Sequence, residues 1–301
     1  MNLEQMATML VDSGDYRVLR RIRPQQHYAT GAPNGVLRQA LLVDVETTGL
    51  DTAHDAIIEF GAVPFRFDST GAVFDVLDPV SWFEDPGRPI PQEIQSLTGI
   101  TDDMVRGQRI DEARIAALLA DSVLVIAHNA RFDRQMIERR LPGFAEKHWG
   151  CSCEDIPWPH FDGQTRKLNL LLHTVAGVFH DGHRAVDDCI ATVYLLAQPR
   201  DDESKSPLSF LLDAARRKTH RVWAIRSPFE TKAALKARGY RWVGERKTWY
   251  IDCAPDDVEA ERVWLRESVY GGSNPLPIEV VTFSAKERYS LRGEPLVTWP
   301  S

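Results

Sequence analysis

Ala40-Leu41-Leu42-Val43-Asp44-Val45-Glu46-Thr47-Thr48-Gly49-Leu50 sets two acids into an apolar run. Ala40 to Val45 is short, aliphatic and partly β-branched, and it stops at Thr47-Thr48-Gly49. That pattern predicts a central strand buried on both faces. Asp44 and Glu46 are two positions apart, so the period-2 geometry of a strand points both side chains to one face. Two desolvated carboxylates on one face repel each other, and such a pair persists where cations neutralise it. The competing reading places both acids at the exposed carboxyl end of the strand as ordinary turn or helix caps. Ligands gather at that end of α/β sheets as well.

Outward from this strand, Ile57 to Phe67 and Ala72 to Val76 flank Asp68-Ser69-Thr70-Gly71, which predicts a β-hairpin. Pro91 to Leu97 predicts a short helix closed by Gly99, and Ile110 to Leu119 a second one. Val123 to Ala127 is again strand-like and ends on His128-Asn129. Further helices are predicted over Ala130 to Arg140, stopped by Pro142-Gly143, and over Leu168 to Ala176 and Ala185 to Ala197. Strands alternating with helices predict an α/β domain with a mixed sheet flanked by helices.

Upstream, residues 2–23 predict an amphipathic helix interrupted near Ser13-Gly14 and resuming through Tyr16, Val18, Leu19 and Ile22. Downstream, the polar stretch Gln198 to Pro207 is bracketed by prolines and reads as a linker. Beyond it, a strand at Val222 to Ile225, a helix at Glu230 to Ala237 and a hairpin around Gly244-Glu245-Arg246-Lys247 predict a small α+β module. The expected organisation is an N-terminal helical extension (1–35), a main domain (36–198), a linker (199–215) and a C-terminal module (216–301).

With 301 residues, 43% of them hydrophobic, the chain can build one large core or two smaller ones. Neither a signal-peptide pattern nor a membrane-length apolar run is present, which predicts a cytoplasmic protein without membrane contact. Four cysteines lack the density and spacing of a disulfide framework and read as reduced thiols. Cys151-Ser152-Cys153 followed by His160 is not zinc-ligand spacing. A net charge of -7 argues against a protein that coats nucleic acid through an overall positive field. Residues 216–253, however, hold eleven Lys and Arg against three Asp and Glu, a basic appendage on an acidic body. The same segment carries Trp223, Phe229, Tyr240, Trp242, Trp249 and Tyr250, a mixture suited to stacking bases or to forming a very small core.

Two more acids recur at strand-to-helix junctions. Asp133 follows the strand Val123 to Ala127, where an acid in the first helical turn also complements the macrodipole. In His183-Arg184-Ala185-Val186-Asp187-Asp188 a histidine precedes a helix, and helix phase leaves Asp187 and Asp188 both open as the inward acid.

Taken together, Val43-Asp44-Val45-Glu46-Thr47-Thr48-Gly49-Leu50, His128-Asn129-Ala130-Arg131-Phe132-Asp133 and His183 to Asp188 resemble, in order and spacing, the three motifs of the DEDDh exonucleases. That family includes the epsilon proofreading subunit of bacterial DNA polymerase III, RNase T and oligoribonuclease. The resemblance covers roughly residues 38 to 198; Ile57 to Ala62 and Leu97 to Thr101 look like the family's intervening segments. It implies an RNase H-like fold and selects Asp188 over Asp187.

The resemblance further implies a 3′→5′ exonuclease that releases nucleoside 5′-monophosphates with two divalent cations, Mg2+ with Mn2+ as substitute. Hard cations take carboxylate oxygens, and a pair roughly 4 Å apart activates a water and stabilises the leaving oxygen. By resemblance, Asp44 bridges both ions, Glu46 and Asp188 hold the one carrying the attacking water, and Asp133 supports the other largely through water. His183 is the implied general base, a role suited to an imidazole. Thr47 and Glu46 are implied to receive the terminal 3′-hydroxyl. Leu50 reads either as a wedge beside the terminal base or as a core leucine, and His128 and Asn129 as contacts to the scissile nucleotide or as helix caps.

The expected substrate is the 3′ end of single-stranded DNA, in repair or proofreading, with a DNA polymerase or repair protein as partner. The alternatives are an RNA exonuclease, or a catalytically silent module that binds nucleic acid or a polymerase. The string Leu235 to Trp242 with Lys247 to Tyr250 also resembles a small uncharacterised module of bacterial DNA-processing proteins.

Overall fold

The structure, a computed structural model, describes residues 1–198, 205–244, 246–272, 275 and 277–290. The chain divides into two compact units, Met1–Ala214 and Ala215–Ser301.

The first unit opens with helix α1 (Leu3–Asp12), whose Asn2 and Gln5 form a reciprocal capping box and none of whose residues is buried. The predicted resumption of this helix does not occur. Gly14 adopts a left-handed conformation at φ 79°, and the chain beyond it is captured by another partner. Strand β1 (Arg20–Arg21) pairs in parallel with Val178–Phe179. The N–H groups of Arg20 and Ile22 donate to the carbonyls of Gly177 and Phe179. These bonds satisfy backbone groups that a helix would have used internally.

The predicted central strand is β2 (Arg38–Thr47), with Ala40, Leu41, Leu42 and Val43 at most 1% exposed. It pairs antiparallel with β3 (Ile57–Phe67), which pairs antiparallel with β4 (Val73–Val76) and β5 (Val80–Phe83). Two short helices, α2 (Gln92–Thr98) and α3 (Asp102–Val105), precede α4 (Glu112–Asp121). As predicted, α2 is closed by Gly99 in the left-handed conformation. On its other edge β2 pairs in parallel with β6 (Ser122–Ala127), and after α5 (Ala130–Arg140) the chain returns as β7 (Trp149–Cys151), parallel to β6. The strand order is β4-β3-β2-β6-β7, with β5 beside β3. Antiparallel on one side of β2 and parallel on the other, this is the mixed sheet of the expected RNase H-like α/β fold. Helices α6 (Leu168–Val175) and α7 (Ala185–Leu196) bracket β8 (Val178–Phe179), and α4, α5 and α7 all contact β2.

The expected linker, 199–215, contains a helix. Residues 199–204 lie outside the described residues, but Pro207–Arg216 forms helix α8, with Leu208, Leu211 and Leu212 buried. Its packing explains the difference. Gly150 lacks the Cβ that would meet Leu211 Cδ2 at 2.6 Å, and Gly71 lacks the one that would meet the Ser209 backbone at 2.7 Å. Ser206 Oγ donates to the Gly71 carbonyl at 2.7 Å. Two glycines in distant hairpin and strand positions thus seat α8 on the first unit.

In the second unit β9 (Thr219–Ala224), α9 (Lys232–Arg238), β10 (Arg241–Val243), β11 (Thr248–Cys253), α10 (Val258–Ser268) and β12 (Ile278–Phe283) build an antiparallel sheet of order β10-β11-β9-β12 with two helices. The predicted hairpin is β10–β11, Glu245 of its turn lying outside the described residues. Val222, Ala224, Leu235, Tyr240, Trp249, Leu265, Val269 and Tyr270 form the core. All four cysteines are free thiols. Among the described residues no helix is long and apolar enough to cross a membrane.

Candidate active site

The carboxyl end of β2 carries Asp44 and Glu46, and the first turn of α7 carries Asp188. One carboxylate oxygen from each lies within 4.8 Å of the others. Period-2 alternation supplies the first two acids, as the sequence predicts. The third requires α7 to approach the sheet closely, and Gly61 permits it. Gly61 is the register partner of Asp44, and a Cβ there would meet the Ala185 carbonyl carbon and the Val186 nitrogen at 2.5 Å. Asp187, which the sequence left open beside Asp188, is exposed and outside the cluster.

Glu59 fixes the approach. It stands opposite Glu46 in the β2–β3 register and is fully buried. Arg184, the residue before α7, donates to it from Nη2 at 2.9 Å and Nε at 3.1 Å, and the Ala185 N–H donates at 3.2 Å. Ser81 of β5 donates from Oγ at 2.8 Å. A carboxylate so satisfied is a tether between sheet and helix.

The cluster is electrostatically unfavourable in the absence of cations. Burial pushes the Asp44 carboxyl well above the usual range, reinforced by Asp133, Asp188, Glu46 and Glu59. Glu46 is pushed up to about 8, first by burial and then by Asp188, Glu59 and Asp133, with Arg184 opposing. Arg184 is already committed to Glu59 and does not neutralise the group. Asp133, 3% exposed in the first turn of α5, is pushed up to about 7 by burial although the Val45 N–H donates to it. It lies outside the tight triple, but Asp44 feels its charge. Three converging carboxylates offer only hard oxygen donors, the set that Mg2+ and Mn2+ prefer. The residues therefore fit a divalent metal site.

Asp188 is held from two directions. The His183 N–H donates to its Oδ2 at 3.1 Å, and His180 Nε2 lies 2.5 Å from its Oδ1. His183 has φ 61°, a left-handed conformation uncommon outside glycine and concentrated at functional sites. It aims the N–H at Asp188 and leaves the ring exposed. His180, three residues before His183, is 8% exposed at its side chain.

The expected substrate contacts fare differently. Thr47 is buried, its hydroxyl donating to the Gly49 carbonyl at 2.6 Å, at a register shift between Glu46 and Thr47. Leu50 is 85% exposed, which removes the core-leucine reading. Both ring nitrogens of His128 are engaged at 2.8 Å, one with Ser152 Oγ and one with the Arg166 carbonyl. Burial also lowers its pKa, so the ring is a neutral structural bridge with no free nitrogen for a nucleotide. Asn129 occupies the N-cap of α5 but makes no side-chain cap bond, and its amide is exposed.

Sequence reading alone missed two members of this arrangement. Glu59 lies in a segment similar to one of the family's intervening stretches, but its pairing with Arg184 spans a separation of 125 residues. His180 carried a weaker signal, its position three residues before His183.

A family model for the RNase T exonucleases matches residues 41–196. The chain is 36% identical over 162 residues to the PolC-type DNA polymerase III of Clostridium perfringens, covering 52% of this chain and 11% of that one. It is 29% identical over 216 residues to the Bacillus subtilis counterpart, covering 68% and 14%. It thus spans only a small part of the length of these curated relatives. Among solved structures, Escherichia coli exonuclease I in complex with a dA16 oligonucleotide aligns with a TM-score of 0.48 and 18% identity, covering 83% of this chain and 64% of that one. With more than half of its residues matched to the family model, the chain belongs to the RNase T exonuclease family.

Proposed function

We propose that this protein is a 3′→5′ exonuclease acting on single-stranded DNA, with 216–301 as an appended basic module. The observation that carries the reading is the convergence of Asp44, Glu46 and Asp188 oxygens within 4.8 Å, where burial pushes the Asp44 and Glu46 carboxyls up. Asp44, Glu46 and Asp188 would hold the divalent cations, supported by Asp133. Cations bound there supply electrostatic stabilisation of the phosphoryl oxygens and lower the pKa of a water.

The chain's own groups do the rest. His183, with an exposed ring on a strained turn beside Asp188, takes a proton from the attacking water. Water oxygen bonds to phosphorus, and the bond from phosphorus to the 3′-oxygen of the preceding nucleotide breaks. That oxygen takes a proton from solvent to become the new 3′-hydroxyl, and the terminal nucleotide leaves as its 5′-monophosphate. Glu46 and the Thr47 backbone receive the terminal 3′-hydroxyl, which sets the direction, and exposed Leu50 and Asn129 border the terminal nucleotides.

The test is digestion of 3′-labelled and 5′-labelled single-stranded DNA and RNA with Mg2+, beside Asp44→Ala. The expected result is a ladder of DNA shortened from the 3′ end, absent in the variant. No cleavage of either polymer, or shortening from the 5′ end, would sink the reading.

A further inference from the structure

The second unit sorts its aromatics into two groups. Trp223, Tyr240, Trp249 and Tyr250 are at most 9% exposed, whereas Phe229 is 80% and Trp242 is 51% exposed. The first group is core. The second presents half or more of its surface to water, where an apolar ring contributes little to stability.

Their surroundings are cationic. Lys232 Nζ lies 5.8 Å from the centre of the Phe229 ring, and Lys232 and Lys236 are exposed. Spacings of three and four put Phe229, Lys232 and Lys236 on one side of the segment that ends as α9. Trp242 lies on the edge strand β10, directly opposite Trp249 in register, with the rings 5.4 Å apart. Cross-strand partners project to one face of a sheet, and Trp249 packs in the core with Leu235 of α9. Trp242 therefore shares the sheet face whose core includes Leu235 of α9, and exposed Lys247 lies in the hairpin turn after β10. Two exposed rings and three exposed lysines are thus carried by α9, the turn before it and the β10–β11 hairpin, inside the segment where basic residues outnumber acidic ones by eleven to three.

We infer that Phe229 and Trp242, with Lys232, Lys236 and Lys247, form a docking surface for single-stranded DNA separate from the carboxylate cluster. The chemistry favours this occupant over a protein. Bases stack on exposed rings, phosphates follow the lysines, and unpaired bases offer π-faces that a duplex keeps stacked internally. The choice of DNA over RNA rests on the exonuclease reading; the surface itself rests on exposure, charge and placement.

The probe is a fluorescent single-stranded oligothymidylate circle, which has no 3′ end for the cleft, binding the full chain in EDTA, followed by anisotropy. Phe229→Ala with Trp242→Ala should weaken binding at least tenfold. Lys232→Gln with Lys236→Gln should lower the slope of log affinity against log salt by about 1.4, at ~0.7 per phosphate contact on a single strand. All four side chains are exposed, so circular dichroism should be unchanged, and the lysine pair provides an independent reading if the aromatic pair misfolds. Unchanged affinity and slope in both pairs overturn the inference. So does tighter binding of duplex or of an RNA circle, or variants that keep DNA affinity and lose only self-association. Because no cleavage is read, this failure is distinguishable from failure of the nuclease assignment.

Discussion

Glu46 and Glu59 face one another across the β2–β3 ladder, yet only Glu59 is closed by a bidentate Arg184. One carboxylate of the pair therefore ties α7 to the sheet, and the other is left for an external cation. Arg184→Ala would leave a fully buried carboxylate without its cation. Removing one partner of a buried pair costs about 3–5 kcal/mol, and the low end is expected because the Arg184 side chain is 41% exposed. Urea unfolding should show it, and a midpoint equal to wild type would remove the tether.

The charge imbalance predicts an inverted pH dependence of stability. Glu46 holds its proton up to about 8 in the folded chain against 4.5 ordinarily, and Asp44 and Asp133 shift in the same direction. Between those limits the folded state binds more protons than the unfolded one, so metal-free stability falls as pH rises through this window. Mg2+ or Mn2+ competes with those protons and should raise Tm more at pH 8 than at pH 6. Thermal scans in EDTA and in Mg2+ at both pH values check this; a metal-induced shift independent of pH contradicts it.

His180 is placed to orient Asp188 rather than to react. Its replacement by alanine removes a contact of the kind that typically changes metal affinity or activity by 10-fold to 100-fold. The expected outcome for His180→Ala is a Mn2+ titration, followed calorimetrically, displaced by about tenfold with the fold intact. A titration matching wild type would reduce His180 to a packing residue.

Gly61→Ala tests how tightly α7 must approach. The added Cβ would meet the backbone of Ala185 and Val186 at 2.5 Å, and forced overpacking costs about 1–3 kcal/mol. Because the clash falls between Asp44 and the start of α7, kcat should drop more than KM changes. Retained wild-type kcat would show that the acids tolerate displacement.

Leu211→Ala should destabilise the first unit by about 2–5 kcal/mol, as a buried leucine does on truncation. A solvated linker residue would give nearly nothing in the same denaturant melt.

The site was legible where its information is local. Asp44 and Glu46 announce themselves by alternation inside one strand, and helix starts and glycine stops such as Gly99 follow from neighbouring residues. Asp188 was separable from Asp187 only by family spacing, because either fits the helix phase. What stayed hidden depends on distant partners. β1 is two residues long and owes its strand form to β8, more than 150 residues away. Glu59 gains meaning from Arg184, and α8 looked like linker because its reason for folding is the bare surface of Gly71 and Gly150. The same holds for His128, whose ring nitrogens are taken by Ser152 and Arg166, neither adjacent in sequence.

The seat that Gly71 and Gly150 provide for α8 also bears on where this chain can be cut. The family match ends at residue 196, with the last residue of α7. A truncation there would nevertheless lay bare the surface that buried Leu208, Leu211 and Leu212 cover, so a cut that keeps the first unit whole falls beyond α8.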